Sequence, residues 1–241
     1  MRMLIFLTVF LAFAVTAQAQ TPEVADFEGG VNNGDWTWGN SADVVESEGG
    51  NPDGFLHNAS LDTYYPILRS GWDAEGWTGD YTTMGVTHIS GDFQTFASSN
   101  QYIGEYYFTV LFRNHMGTPN DIEDDIFVYI DPYQYTAPGI DEGWISYGFD
   151  FPYDFVGAPG ETPDGWEGGS YYSGNGTFPA DALWHEVIAD IGRVEFWFNH
   201  PDWGAIFANF DVGVDNIVLE MDGGTVATEE STFGAMKALF R

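Results

Sequence analysis

Apolar positions along this chain recur with a period of two, or in short unbroken runs, and almost nowhere with the period of a helix. The stretches 24–28, 84–96, 106–113, 126–130, 144–151, 193–199 and 211–220 are rich in Tyr, Phe, Val and Ile. They are separated by clusters of Gly, Pro, Asn and Asp such as SEGGNPDG, GTPNDIEDD and VGAPGETPDGW. β-branched and aromatic runs bounded by turn formers predict strands. With no amphipathic helix in the middle of the chain, they predict an all-β protein, an antiparallel β-sandwich or barrel. The segment DALWHEVIADI (181–191) fits either a short helical turn or another strand.

One stretch does not fit its own pattern. FDVGVDNIVLE (210–220) reads as a late strand, yet it carries Asp215 and Asn216 in its middle. A strict period of two would place Asp215 on the face of Ile217 and Leu219, where burial opposes a carboxylate.

The two ends differ from the rest. MRMLIFLTVFLAFAVTAQAQ has a cationic start at Arg2, an apolar run from Leu4 to Val15 and the small-x-small pattern Ala17-Gln18-Ala19. This is the pattern of a secretory signal (1–19) rather than a membrane span, with a domain expected over 20–222. After Asp222 the chain becomes a linker (223–241). Within it Glu229 and Glu230 precede Ser231 and Thr232, while Lys237 and Arg241 come at the far end. Acid before base matches a helix dipole, so a short C-terminal helix is expected over 232–241.

Composition narrows the function. A chain of 241 residues with 30 glycines, 17% aromatics and no cysteine has no disulfide, zinc thiolate or cysteine nucleophile available. Its 37 acids against six Lys and Arg give a formal net charge of −31. That excludes nucleic acid and anionic membrane as partners, because phosphate binding requires cations. The acidity also suits a solvating surface or divalent-cation binding.

Catalytic motifs are absent. His57, His88, His115, His185 and His200 are scattered with no HExxH spacing, and no GxSxG elbow or phosphate loop occurs. Paired acids could serve a glycosidase, but among 37 any chosen pair is uninformative. In DIEDDIF (121–127), Glu123, Asp124 and Asp125 are adjacent rather than alternating, so they cannot all point into one cleft; a solvated or cation-binding loop is expected. Aromatic rings offer another chemistry, since sugars present flat apolar faces that stack on exposed Trp and Tyr beside hydrogen-bonding partners. NNGDWTWGN places Trp36 and Trp38 two apart beside Asn33 and Asp35, making these four the expected ligand platform. Trp144, Trp184 and Trp197, set among apolar neighbours, are expected in the core.

The ordered features WTGDYTTMGVTHISGDF, LFRNHMGTP, EGWISYGFDFP, LWHEVIADIGRVEFWF and FDVGVDNIVLE resemble the laminin B-type (laminin IV type A) domain and its bacterial relatives, over about 24–221. The resemblance implies a galactose-binding-like jelly roll that is extracellular and non-catalytic. Carbohydrate-binding modules of similar shape commonly hold a structural calcium between first and last strands. By that likeness Asp26 and Glu28 of DFEGG and Asp215 of VDNIVLE would be its ligands, calcium taking six to eight oxygens at about 2.3–2.6 Å. Alternatively, Asp215 faces solvent or accepts backbone hydrogen bonds.

The expectation is therefore a secreted, non-catalytic β-sandwich binding or adhesion module, with a neutral polysaccharide or a cell-surface protein as partner. The alternatives are an extracellular structural protein with no small ligand and, behind it, a glycoside hydrolase.

Overall fold

The computed structural model describes residues 20–119, 121, 124–158, 160–170, 184–201 and 207–222. The expected leader, linker and C-terminal helix lie outside the described residues, as does Glu123. Strands β1 (Glu23–Ala25), β2 (Val44–Glu46), β3 (Phe55–Thr63) and β4 (Ile67–Arg69) come first. Helix α1 (Tyr81–Met84) then leads into β5 (Val86–Ser98), β6 (Thr109–Asn114), β7 (Ile126–Ile130), β8 (Ile145–Asp150) and β9 (Trp166–Ser170). Helix α2 (Trp184–Ile188), β10 (Arg193–Trp197) and β11 (Ala208–Met221) close the order. The segment 181–191 thus holds a single helical turn, and among the described residues no helix is long and apolar enough to cross a membrane.

Two antiparallel sheets face one another. The first runs β2-β3-β11-β5-β8, with β1 added beside the end of β11; the second runs β4-β10-β6-β7-β9. The sequence neighbours β3/β4, β5/β6, β7/β8 and β10/β11 lie in opposite sheets, and the orders β3-β11-β5-β8 and β4-β10-β6-β7 are those of a jelly roll. β7 begins and ends where its apolar run does. β2, β3, β4 and β9 were not expected. β4 is three residues long, and β9 (WEGGS) carries Gly169 where it runs under a ring: a Cβ there would lie 2.3 Å from Phe127.

The core between the sheets is unusually aromatic. Phe93 contacts Phe108 at 5.0 Å and Phe196 at 4.9 Å, and Phe151, Trp166 and Trp184 pack together at one end. Full burial of such side chains contributes about 2–3 kcal/mol each from area alone. Trp184 joins this core as expected, fully buried.

β11 resolves the anomaly of Asp215. Its register against β5 shifts between Asp215 and Val218, and Asn216 sits in the left-handed region at φ 50°. The bulge inserts a residue, so Val212 and Val214 before it and Ile217 and Leu219 after it all reach the core. Asp215 therefore does not share a face with Ile217. It lies opposite Asp92 of β5 on the outer side, under the 51–54 turn.

Candidate functional site

The outer face of the second sheet combines charge and aromatic rings. Alternation in β10 sends Val194 and Phe196 into the core and turns Arg193, Glu195 and Trp197 outward. On β6, Val110 and Phe112 point inward, leaving Thr109, Leu111 and Arg113 on the outer side. Cross-strand register then builds rows. Arg69, Glu195, Leu111, Tyr129 and Glu167 form one; Arg193, Arg113, Phe127 and Gly169 form the next; Ile67, Trp197 and Thr109 form the third.

Arg113 organises the centre. Its Nε and Nη2 donate to the two oxygens of Glu195, each at 3.2 Å, and its Nη1 donates to Asp125 Oδ2 at 3.2 Å. Glu195 also accepts from the indole N–H of Trp197 at 2.7 Å and has Arg69 Nε at 3.8 Å. Burial alone would raise the Glu195 carboxyl, but Arg113 and Arg69 overcome it and hold it below the usual carboxylate range. Asp125 goes the other way: burial outweighs its one guanidinium contact and pushes its pKa up. Beside this centre Tyr129 donates to Glu167 Oε2 at 2.8 Å.

Rings flank the charges. Trp197, half-buried, contacts Tyr65 at 5.6 Å. Tyr65 adjoins Tyr64, whose exposed ring meets exposed Phe207 edge-on at 5.2 Å. On the other flank Tyr129, His200, Tyr133 and Tyr107 form a chain with centroid spacings of 5.9, 5.6 and 4.8 Å.

The electrostatics set this face apart from the rest of the molecule. Of the six Lys and Arg residues, Arg2, Lys237 and Arg241 lie outside the described residues, and the other three, Arg69, Arg113 and Arg193, all sit here. They meet the carboxylates of Glu195, Asp125 and Glu167, so a chain of net charge −31 gathers every arginine of its described residues on one surface. The outer face of the first sheet differs. There Phe55, Phe96 and Trp144 close on one another at 5.4–5.9 Å over Gly213, whose added Cβ would meet Phe55 at 2.8 Å and Phe96 at 2.9 Å.

The platform expected at Trp36 and Trp38 is corrected by their burial, at 1% and 2% exposure. Trp36 stands edge-on to Trp77 at 5.2 Å and Trp38 edge-on to Phe198 at 5.7 Å, so both rings belong to the core. Their strand-like segment is clasped to β4 by Thr37, which exchanges backbone hydrogen bonds with Arg69. Asn33 is committed to holding the chain, donating to Val24 O at 2.9 Å, and Asp35 is an exposed turn residue at φ 50°. Conversely, Trp144 and Trp197 leave the core for the outer faces. Asp125 is not solvated but 1% exposed, fixed by Arg113. One signal in the sequence bears on this face: Glu195 interrupts an apolar strand.

Of the three residues expected around calcium, the structure brings Glu28 and Asp215 into electrostatic range and adds Asp92. Asp215 accepts from Asn51 N at 2.6 Å and Asn216 N at 2.7 Å, while Asp92 accepts from the side chains of Asn51 and Asn216 at 3.0 Å each and from Ser146. Burial, with the nearby charges of Asp92 and Glu28, pushes Asp215 up to about 6. Glu28 accepts from Gly54 N at 3.1 Å. Asp26 is exposed and turned to the backbone N–H of Glu28 at 3.2 Å. Among the described residues no three acids or histidines converge as a ligand set.

No protein-family model matches the chain, that of the laminin B-type domain included, and no curated protein matches it. Solved structures do. A family 11 carbohydrate-binding module from Clostridium thermocellum, in complex with a β-1,3-1,4-mixed-linked tetrasaccharide, is 17% identical, with a TM-score of 0.44, over 86% of this chain and 98% of its own. A mutant of the family 29 module CBM29-2 is 9% identical, with a TM-score of 0.37, over 85% and 93%. The K1 adhesin domain of Lys-gingipain from Porphyromonas gingivalis W83 is 11% identical, with a TM-score of 0.37, over 84% and 99%. At these values neither ligand nor activity transfers to this chain.

Proposed function

We propose that the protein is a secreted, non-catalytic β-sandwich module that binds a neutral glycan on the outer face of its second sheet. The observation that carries this is the meeting, on one surface, of the half-buried Arg69 and the exposed Glu167 with the rings of Trp197, Tyr65 and Tyr133. Sugar hydroxyls pair with planar donors and acceptors while their C–H faces stack on rings. Glu195, buried and tied to Arg113, fixes the Trp197 indole through its N–H, which reduces the ordering cost of stacking. Against catalysis, Asp125 and Glu195 are bridged by a single guanidinium, which occupies both acids.

The test is a titration of the full chain against neutral polysaccharides and their oligosaccharides, beside Trp197→Ala and Tyr65→Ala, with Trp144→Ala as a control on the other sheet. The expected outcome is binding that falls at least about tenfold in the first two variants, or roughly 1.4 kcal/mol, and not in the third. No binding to any glycan, or equal loss in all three, removes the proposal and favours a structural role.

We also propose that calcium, held by Glu28 and Asp215 with water and backbone carbonyls for its other oxygens, stabilises the 51–54 turn, supported by the backbone N–H groups of Gly54 and Asn51 that draw these two carboxylates under it. Calcium should raise the melting temperature at pH 7.5 in wild type and not in Asp215→Asn. Identical melting in calcium and in chelator would rule it out.

A further inference from the structure

Arg193 is the charged group on the sheet face that the rest of the site leaves unused. It lies directly across from Arg113 in the β10–β6 register, placing two like charges opposite each other, an arrangement that costs stability unless something neutralises it. Arg113 is neutralised twice, by Glu195 and by Asp125. Arg193 forms no ion pair among the described residues, in a chain where acids outnumber Lys and Arg 37 to six. Its guanidinium carbon lies 3.8 Å from the centroid of the half-buried Trp72 ring, and its Nε is buried without a hydrogen-bond partner.

The acids around it are committed elsewhere. Asp73, next to Trp72, is turned to His115 Nε2 at 3.0 Å, and the nearby Glu195 and Asp125 are held by Arg113. Burial and the two neighbouring arginines pull the Arg193 guanidinium down to about 10, which still leaves it charged at neutral pH. Stacking on an indole fixes the plane of a guanidinium and leaves its in-plane donors for a planar two-oxygen acceptor. Net charge limits the ligand further: a polyanion is repelled by the whole molecule, whereas one carboxylate within a few ångströms of Arg193 is not, since the wider field is screened over about 8–10 Å.

We propose that Arg193, stacked on Trp72, receives a single carboxylate on an otherwise neutral glycan, so that the ligand class is a sparsely substituted, uronic-acid-bearing polysaccharide. This rests on the second-sheet face being the glycan site. The experiment uses matched pairs differing only in oxidation at C6: the methyl glycosides of glucose and glucuronic acid, neutral and C6-carboxylated cello-oligosaccharides, and xylo-oligosaccharides without and with one glucuronate branch. Calorimetric titration of the full chain should show the acidic member of at least one pair bound tenfold or more tighter at about 150 mM salt, where that screening holds, the preference shrinking at about 1 M. Arg193→Gln should abolish the preference while keeping the affinity for the neutral member. Arg193→Lys, which keeps the charge and the fold but not the planar fork, should retain only part of it. Equal binding of neutral and acidic members, or a preference that survives in Arg193→Gln, overturns the inference and leaves the glycan site standing. Binding of neither member of any pair overturns both.

Discussion

Glu195 is a carboxylate held on the outside of a sheet at 2% exposure, and it exists as an anion only because Arg113, Arg69 and Trp197 converge on it. Removing its charge leaves Arg113 buried with Asp125 alone, and breaking a buried pair costs about 3–5 kcal/mol. Glu195→Gln should therefore lower the urea midpoint clearly at pH 7. The pH dependence has a definite sign. Because the folded pKa lies below the unfolded one, this group's contribution is present above the ordinary glutamate range and is lost as pH falls through the lowered folded value. Wild type should lose stability below about pH 4 more steeply than Glu195→Gln; parallel profiles of the two would show that the pair is not set this way. At this scale the sequence was least legible. Trp36 and Trp38 sit among Asn, Asp and Gly and are buried, whereas Trp197 sits among Val, Phe and Glu and is not, because a ring's facing depends on its parity within a strand rather than on its neighbours' polarity.

Elements were more legible than residues where their pattern was simple. β7 is a continuous apolar run and was delimited correctly, while β3 (FLHNASLDT) exposes polar side chains along its second half and β4 is too short to show a period. β11 was recognised as a strand, but its bulge was invisible to a period of two: one residue in the left-handed region reverses the parity of everything after it. Asn216 is suited to that position by its short side chain, which tolerates positive φ and donates to Asp92 and to the carbonyl of Asn51. Asn216→Val should cost about 2–3 kcal/mol from backbone strain and the lost hydrogen bonds. Asn216→Gly, which keeps the conformation, should cost less. Equal midpoints in chemical denaturation would mean that the strand can re-register without the bulge.

At the scale of the whole molecule an all-β sandwich or barrel was readable, because the recurrence of strand-like runs and the absence of amphipathic helices depend on sums over many residues, whereas the jelly-roll order entered only through the laminin-like resemblance. The arginine-bearing face was not legible, since its three arginines are separated by 44 and 80 positions and meet only through β4, β6 and β10. A net charge of −31 over one sandwich opposes compaction by self-repulsion, and salt screens it. Raising sodium chloride from 20 to 500 mM should lift the melting temperature by about 2–6 °C, in line with about 1–2 kcal/mol for a chain of this size. A flat or falling midpoint would mean that the acids are already compensated.

The pairing of β1 with the end of β11 sets Glu23 beside Leu219 and Ala25 beside Ile217. The polypeptide therefore enters and leaves the sandwich side by side, running in opposite directions. Tension applied across its two ends loads three residue pairs one after another, as a zipper opens, rather than all together in shear. Such a module gives way at that corner under small forces, and the remaining strands stay folded until the corner has already parted.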